Sequence, residues 1–231
     1  MQWHDFVRAE SSRRRYWARS MVGWPRVAQA VPNAAHRALA RLESAGRVPR
    51  LVTQNVDGLH HRAGSRAVLE LHGNVNHVVC VGCGAGYSRE SIQHRLEREN
   101  PGFGAIVVTA APDGDADLEA GGFDAFRVPS CTQCGGILKP GVVFFGENVP
   151  RQRVEDAVHA LERADAMLVI GSSLMAYSGY RFCEWAHRMG KPIAAINRGR
   201  TRADHLFAIK IEASCSQTLT SLVALMQREP G

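Results

Sequence analysis

Short apolar runs alternate with amphipathic stretches along this 231-residue chain. The run Ala166–Ile170 is continuously apolar, which is typical of a parallel strand buried on both faces, and Pro192–Ile196 has the same character. The stretch 151–164 instead places its apolar residues on one side of a helix. Strands separated by helices predict an α/β fold with a doubly wound parallel sheet.

The ends of the chain are predicted to be mainly helical. Residues 1–50 show a partial 3.6-residue spacing of apolar side chains, which Pro25 breaks, and a second helix is predicted in AAHRALARLESAG. Towards the carboxyl end the pattern predicts a helix over 179–189, a strand near His205–Ile211, a turn near Ala213–Cys215 and a final helix with Leu219, Leu222, Val223 and Met226.

Polar residues follow the strand predicted at the start of the stretch LVTQNVDGLHHRAGSRAVLELHG. Gln54, Asn55 and Asp57 lie where this strand meets a loop, and His72 follows a second apolar run. Ligands of open α/β sheets bind just beyond the carboxyl ends of the strands. Each residue alone has a structural explanation, because Asn-x-Asp usually forms a turn and a single histidine is more often structural. Together, an amide, a carboxylate and an imidazole could bind a hydroxyl-rich ligand and move a proton.

Four of the six cysteines form two Cys-x-x-Cys pairs. They are Cys80, Cys83, Cys131 and Cys134. In a chain without an export signal this pattern favours a metal over disulfides, which are the main alternative. Four thiolates suit one structural zinc ion and leave no open position for a catalytic metal. The polar segment 112–122 between the pairs is predicted as a loop or short helices.

Composition and charge narrow the class of protein only slightly. The net charge is +6, and the basic residues are 25 arginines and 3 lysines. An anionic partner would suit this charge, but an arginine-rich surface explains it equally well, and the cluster Arg13–Arg15 is too short for a nucleic-acid arm. Nucleic acid is therefore not an expected partner. No segment reaches the roughly 18 apolar residues of a membrane span, and no secretory signal is recognisable, so we expect a cytoplasmic protein, or one of an organelle matrix.

The strings TQNVDGLH and ELHG, followed by Cys-x-x-Cys, resemble the sirtuins, which are NAD-dependent protein deacylases. The similarity extends to PNAAHRALARLE and covers essentially the whole chain. It implies a Rossmann-like domain and a smaller domain with zinc and helices. The implied bounds are 1–50 for the helical part of the small domain, 51–73 for the first Rossmann-like part, 74–140 for the zinc module and 141–231 for the second Rossmann-like part.

The resemblance also implies roles in the reaction. His72 would be the general base, because an imidazole exchanges protons near neutral pH, and Asn55 would orient ribose and a water molecule. Val56 and Asp57 would hold the nicotinamide carboxamide. The implied catalytic residues are thus His72, Asn55 and Asp57. The implied NAD-binding residues are Gln54, Asn55, Val56, Asp57, Gly171, Ser172, Ser173, Asn197, Arg198, Gly199 and Cys215.

The segment ILKPGVVFFGENVP resembles the part of sirtuins that pairs with an acyl-lysine peptide as a β-strand. Val142–Phe145 is predicted as a strand, with Val143 as the backbone acceptor of a substrate amide. Phe144, Phe145 and Gly146 would line the lysine site, although one phenylalanine of the pair is equally well explained as core. A second peptide-binding strand is expected around Ala176–Ser178.

The segment YWARSMVGWP is similar to that of class II sirtuins. Tyr16 and Arg19 share the Tyr-x-x-Arg spacing of sirtuins that remove acidic acyl groups, and residues i and i+3 lie on one face of a helix. We therefore expect a pocket for longer or acidic acyl groups. The alternative, in which Tyr16 packs and Arg19 is solvated, has equal weight.

The sequence departs from the sirtuin pattern in lacking the glycine-rich GAGxS loop and the GIPxFR string that would bind the NAD pyrophosphate. A truncated chain, a misassigned start and a degenerate, inactive relative are all compatible with this departure. Two other functions stay open. One is an NAD-dependent protein mono-ADP-ribosyltransferase on the same scaffold, and the other is a zinc-ribbon module that binds a partner without catalysis.

Overall fold

The structure is a computed structural model that describes residues 1–103, 109–110, 116–117 and 123–227. Its chain divides into two units. Unit 1 comprises Met1–Ala30, Asn55–Gly58 and His72–Asn148, and unit 2 comprises Val31–Gln54, Leu59–Leu71 and Val149–Gly231. The predicted segment 1–50 therefore contributes to both units, and the predicted domain bounds stay a prediction.

Helices and strands alternate through much of the described chain. The helices are α1 (Trp3–Arg8), α2 (Glu10–Gln29), α3 (Ala34–Ser44), α4 (Leu59–Arg62), α5 (Arg89–Glu99), α6 (Arg151–Arg163), α7 (Tyr177–Arg188) and α8 (Cys215–Met226). The strands are β1 (Leu51–Thr53), β2 (Val68–Glu70), β3 (Gly73–Cys80), β4 (Gly86–Ser88), β5 (Thr109–Ala110), β6 (Ala116–Asp117), β7 (Leu138–Val142), β8 (Met167–Ile170), β9 (Ile193–Ile196) and β10 (Ile209–Ile211).

Unit 1 is built on the antiparallel sheet β4-β3-β7. Its core consists of side chains from α2, α5 and this sheet, and Trp17, Val78, Ile92 and Leu138 are fully buried there. The Trp17 indole N–H donates to the Leu138 carbonyl at 3.3 Å, so the largest apolar side chain of the core also has its polar atom satisfied. Helix α2 is thereby fixed to strand β7.

Pro25, which breaks the apolar spacing, does not end the helix, because α2 continues from Glu10 to Gln29 with Pro25 inside it. Proline has no N–H to donate to the carbonyl four residues earlier. That carbonyl belongs to Met21, and it accepts a hydrogen bond from the Gln93 side chain of α5 at 2.8 Å instead. A neighbouring helix thus supplies the donor that proline lacks.

Unit 2 contains the parallel strands, which confirms the predicted α/β class. Strand β1 pairs with β2, and β8, β9 and β10 form a second parallel sheet in the order β10-β9-β8. Within the described residues the parallel strands form these two sheets. The prediction that Ala166–Ile170 is buried on both faces is wrong, because Leu168 in β8 is 41% exposed.

The helices of unit 2 cover the parallel strands. Helices α3 and α8 pack together through Leu39, Leu42, Leu219 and Val223. Helix α6 begins at Arg151, as the amphipathic pattern predicted, and buries Ala157 and Leu161. The predicted strand Leu51–Thr53 and the C-terminal helix are likewise confirmed. No helix in the described ranges is long and apolar enough to cross a membrane.

Three predicted strands differ from the structure. Strand β7 ends at Val142, so Val143–Phe145 lies in a loop. Residues Tyr177–Ser178 begin helix α7, since the Tyr180 N–H donates to the Ala176 carbonyl. The strand predicted near His205–Ile211 is shortened to β10, because Asp204–Leu206 forms a 3-10 turn before it, and Asp204 accepts hydrogen bonds from Thr201 there. Of the segment 112–122, only Ala116–Asp117 lies within the described residues, and it forms strand β6.

Candidate active site and metal centre

The four cysteines of the two Cys-x-x-Cys pairs come together in unit 1. Their sulfur atoms all lie within 4.8 Å of one another. The Sγ atoms of Cys80 and Cys134 are 3.5 Å apart, and those of Cys83 and Cys131 are 3.7 Å apart. Zinc–sulfur bonds of about 2.3 Å in a tetrahedron require sulfur atoms about 3.8 Å apart. The four thiols therefore fit one tetrahedral zinc ion, and their number leaves no open coordination position.

A tyrosine supports the metal centre from outside the four ligands. The Tyr87 hydroxyl lies 3.1 Å from Cys131 Sγ and accepts a hydrogen bond from the Thr132 N–H at 3.1 Å. The hydrogen bond from Tyr87 lowers the pKa of Cys131 to about 6, against the opposing effect of burial. A thiol with a lowered pKa is more readily present as the thiolate that zinc requires.

A pocket of about 360 Å³ lies in unit 2, at the carboxyl ends of β8 and β9. It is lined by four of the predicted NAD-binding residues, Gly171, Asn197, Arg198 and Cys215. The volume is within the range of ligand-binding pockets in proteins, about 300–1,000 Å³. Position and lining thus agree with the rule that ligands of α/β proteins bind beyond the carboxyl ends of parallel strands.

Two helix N-termini border the same pocket. Asn33 is the N-cap of α3 and Ser214 is the N-cap of α8, and both residues line the cavity. Helix N-termini carry partial positive charge and suit anionic groups. Neither residue was predicted to belong to the site, although Asn33 before AAHRAL and Ser214 before the final helix are typical N-cap signals.

Asn197 and Gly171 shape the pocket wall. Asn197 is buried, and its side-chain amide donates to the carbonyl of Arg198 at 2.9 Å and to that of Gly199 at 3.4 Å, so Asn197 folds the turn after β9. Gly171 has a φ of +58°, and a Cβ there would lie 3.4 Å from Cys215 Sγ. A side chain at Gly171 would therefore contact Cys215 and would be strained by the left-handed backbone.

Gln54 and Ser172 contact each other in unit 2. The Ser172 hydroxyl donates to Gln54 Oε1 at 3.0 Å and accepts from the Leu174 N–H at 3.2 Å. Leu174 is buried with a φ of +56°, an unusual conformation for a leucine, and such strain concentrates at functional sites. The Ser173 carbonyl accepts from the Arg202 N–H. The loop after β8 is thus held by a side-chain contact with Gln54 and by a backbone hydrogen bond from Arg202.

The predicted catalytic residues Asn55, Asp57 and His72 all belong to unit 1, as does Val56. The Val56 carbonyl accepts from the Val75 N–H at 2.8 Å, which ties the loop Asn55–Gly58 to strand β3. His72 is half-buried and directly precedes that strand. The residue after it, Gly73, has a φ of +84°, and a Cβ there would lie only 2.0 Å from the Gly141 carbonyl oxygen.

The loop after β7 is anchored to His72 through its backbone. The Val143 N–H donates to the His72 carbonyl at 2.8 Å, and the Phe145 carbonyl accepts from the Trp3 N–H at 2.8 Å. Phe144 is buried, with its ring 5.3 Å from that of Tyr16, whereas Phe145 is 70% exposed. One phenylalanine is thus core, as the sequence allowed. Gly146 has a φ of +79° and turns the chain after Phe145.

Tyr16 and Arg19 lie three residues apart on α2, as predicted. The Tyr16 ring packs against Phe6, Trp17 and Phe144 at centroid distances of 5.3–5.5 Å. Tyr16 and Arg19 are both half-buried. The aromatic contacts support the packing role that was considered for Tyr16, and they also place its ring next to Phe144.

These features define a class of protein, the mixed α/β proteins with parallel strands, a ligand-sized pocket at their carboxyl ends and a separate four-cysteine module. The model of the Sir2 family matches residues 2–178. The chain belongs to the Sir2 family.

Curated relatives are similar over nearly the whole chain. A protein of Xanthomonas campestris pv. campestris named NAD-dependent protein deacetylase is 56% identical over 225 residues, which are 97% of this chain and 75% of the relative. A protein of Bordetella bronchiseptica with the same name is 58% identical over 219 residues, covering 95% of this chain and 80% of the relative.

Solved structures of the family have the same fold. A structure of Sir2 with a p53 peptide and NAD+ has a TM-score of 0.72 and 32% sequence identity, covering 88% of this chain and 73% of that one. A structure of a Sir2 H116A variant with deacetylated p53 peptide and 3′-O-acetyl ADP-ribose has a TM-score of 0.75 at 29% identity, covering 97% of this chain and 79% of that one.

Proposed function

We propose that this protein is an NAD-dependent protein lysine deacylase that transfers the acyl group to ADP-ribose and releases nicotinamide. The observation that carries the proposal is the pocket of unit 2, where Gly171, Asn197, Arg198 and Cys215 line one cavity beside two helix N-termini. The names of the Xanthomonas and Bordetella relatives support the same activity.

The pocket of unit 2 is proposed to bind the adenosine part of NAD. Asn197 and the α8 N-terminus at Cys215 suit a ribose and an adenine, since they offer an ordered turn and backbone N–H groups. Ser172, Ser173 and Gln54 form the loop after β8 and are proposed to continue the site, with Gly199 in the turn after β9.

The residues of unit 1 are proposed to carry the chemistry. When bound, NAD would supply an electrophilic ribose carbon with nicotinamide as its leaving group. Asp57 would accept from the carboxamide N–H₂ beside Val56, and Asn55 would orient the ribose. His72 would take a proton from a ribose hydroxyl. The four cysteines would hold zinc as a structural ion, because no coordination position stays open for substrate.

The protein substrate is proposed to bind as an extended strand along the loop after β7. Among the residues that the structure describes, no donor reaches the Val143 carbonyl, whereas the carbonyls of Val142, Phe144 and Phe145 each accept a hydrogen bond. The Val143 carbonyl is therefore available to a substrate N–H, in the strand-addition mode of peptide recognition. The exposed Phe145 ring and the turn at Gly146 lie beside it.

Longer or acidic acyl groups are the proposed substrates within the deacylase class. Tyr16 and Arg19 present a phenol and a guanidinium from one helix, and a carboxylate could accept from both. Arg19→Ala should lower glutaryl-lysine turnover by at least about tenfold relative to acetyl-lysine turnover. An unchanged ratio of the two would contradict the acyl preference and leave the deacylase activity standing.

The deciding experiment is calorimetry of NAD binding to the 231-residue chain, followed by an assay of nicotinamide release with and without an acyl-lysine peptide. We expect micromolar binding and peptide-dependent release, and loss of release but not of binding in His72→Ala. Release that does not require acyl-lysine would favour the mono-ADP-ribosyltransferase alternative. A folded, zinc-loaded chain that binds no NAD would instead support the catalytically inactive alternative.

A further inference from the structure

Lys139, at the second position of β7, is a buried charge outside the proposed chemistry. It is only 6% exposed. Its Nζ lies 3.0 Å from Glu147 Oε2 and over the rings of Phe144 and Trp3, at 5.0 and 5.6 Å from their centroids. Burying an ion pair is often no more stabilising than apolar packing of similar volume. Stability alone therefore does not explain why these two charges lie here.

The two charges hold the backbone on either side of Val143. Lys139 Nζ donates to the carbonyl of Val142, and Glu147 Oε2 accepts from the N–H of Phe144 at 2.9 Å. Val143 itself donates its N–H to the His72 carbonyl at 2.8 Å. Three successive residues, from the last residue of β7 into the loop, are thus fixed by hydrogen bonds, and two of these bonds depend on one ion pair.

We propose that the Lys139–Glu147 ion pair is a positioning element for protein-substrate binding, because it holds the Val143 carbonyl in the orientation that receives a substrate N–H. This inference rests on the proposed function, in which that carbonyl is the substrate acceptor. Lys139 and Glu147 act through the backbone of Val142 and of the loop that follows it. They differ in this from a catalytic residue, which would touch the reacting atoms.

The test compares steady-state kinetics of four variants of the full chain. Lys139→Met and Glu147→Gln remove one charge each, Lys139→Arg keeps the charge and the donors, and Glu155→Gln breaks the exposed Arg151–Glu155 pair of α6 as a control. In the first two variants we expect the peptide KM to rise at least about fivefold, with kcat and the NAD KM within about twofold of wild type. Lys139→Arg and Glu155→Gln should keep all three values within about twofold.

Hydrogen exchange gives a readout that does not depend on turnover. Amides of Val143 and Phe144 should exchange faster in Lys139→Met and Glu147→Gln, while those of α5 keep their protection. An unchanged peptide KM, or a parallel loss of kcat and of both KM values, would overturn the positioning role. If wild type releases no nicotinamide, the proposed function fails, and the exchange rates alone then decide whether the pair orders the loop. Equal amide exchange rates in wild type and variants would show that the ion pair does not order the loop.

Discussion

At the scale of single residues, the backbone at His72 depends on a glycine. Gly73 has a left-handed φ and lies against the Gly141 carbonyl, where a Cβ would approach to 2.0 Å. Gly73→Ala should therefore destabilise the protein by at least about 3 kcal/mol, as strained and overpacked sites do, and should displace His72. Chemical denaturation measures the first effect and nicotinamide release the second.

Gly190→Ala is the matched control for this prediction. Gly190 has a similar positive φ of +68°, but no atom of the described residues would lie within 4 Å of a Cβ there. Alanine there should cost only the conformational penalty of about 1 kcal/mol. Equal destabilisation by both substitutions would show that the contact with Gly141 contributes nothing.

A second prediction at this scale concerns Tyr87. Its hydroxyl hydrogen-bonds Cys131 Sγ, and such outer contacts typically change metal affinity by about 10–100-fold. Tyr87→Phe should lower zinc affinity by at least about tenfold in competition with a chromogenic chelator. Tyr177→Phe is the control, because Tyr177 is 56% exposed and lies in unit 2. A zinc affinity that stays the same in Tyr87→Phe would refute the supporting role.

At the scale of elements, hydrophobic periodicity predicted the helices and strands whose local pattern of apolar and polar residues matches their burial. The amphipathic α6 and the apolar β9 are examples. It failed where a distant residue decides the local structure. The example is Gln93 of α5, whose side chain bonds the Met21 carbonyl and supports a helix through Pro25. No local pattern encodes such partners, which are up to 72 positions away.

The support of α2 by α5 can be measured with a double-mutant cycle. Gln93→Leu leaves the Met21 carbonyl without its donor in a buried position and should cost about 2 kcal/mol of stability. In a Pro25→Ala background the new N–H of residue 25 can bond that carbonyl, so the same change should cost about half as much. Denaturation curves of wild type, the two single variants and the double variant give the coupling free energy between residues 25 and 93. Strictly additive changes in the free energy of unfolding would disprove this explanation.

At the scale of the whole molecule, sequence motifs identified many residues of the proposed site but not how these residues are divided between the two units. The pairs of cysteines converge as predicted, and four predicted NAD residues line one pocket. The strings TQNVDG and ELHG each span a unit boundary, since Gln54 belongs to unit 2 and Asn55 to unit 1. The division of these residues between two units and of the strands between sheets depends on long-range packing. The spacing of motifs along the sequence does not predict such packing.

Because each unit has its own buried core, zinc and NAD should stabilise different parts of the chain. Removing zinc with a chelator should raise hydrogen exchange in β3 and β7, whose ends carry or adjoin the cysteines, and leave α3 and α8 protected. NAD at 100 times its Kd should stabilise the folded state by about 2.7 kcal/mol. We expect the largest decrease in hydrogen exchange at the N-termini of α3 and α8.

Substitutions in the pocket separate NAD binding from general stabilisation. Cys215→Trp would fill the cavity and should abolish the protection by NAD, while Ser221→Trp on the exposed side of the same helix should preserve it. His72→Ala should also preserve it, because His72 is proposed to move a proton and not to hold the adenosine. Protection by NAD that survives Cys215→Trp would place the nucleotide elsewhere. In the zinc-removal experiment, an equal loss of hydrogen-exchange protection in unit 1 and unit 2 would mean that the two cores unfold together.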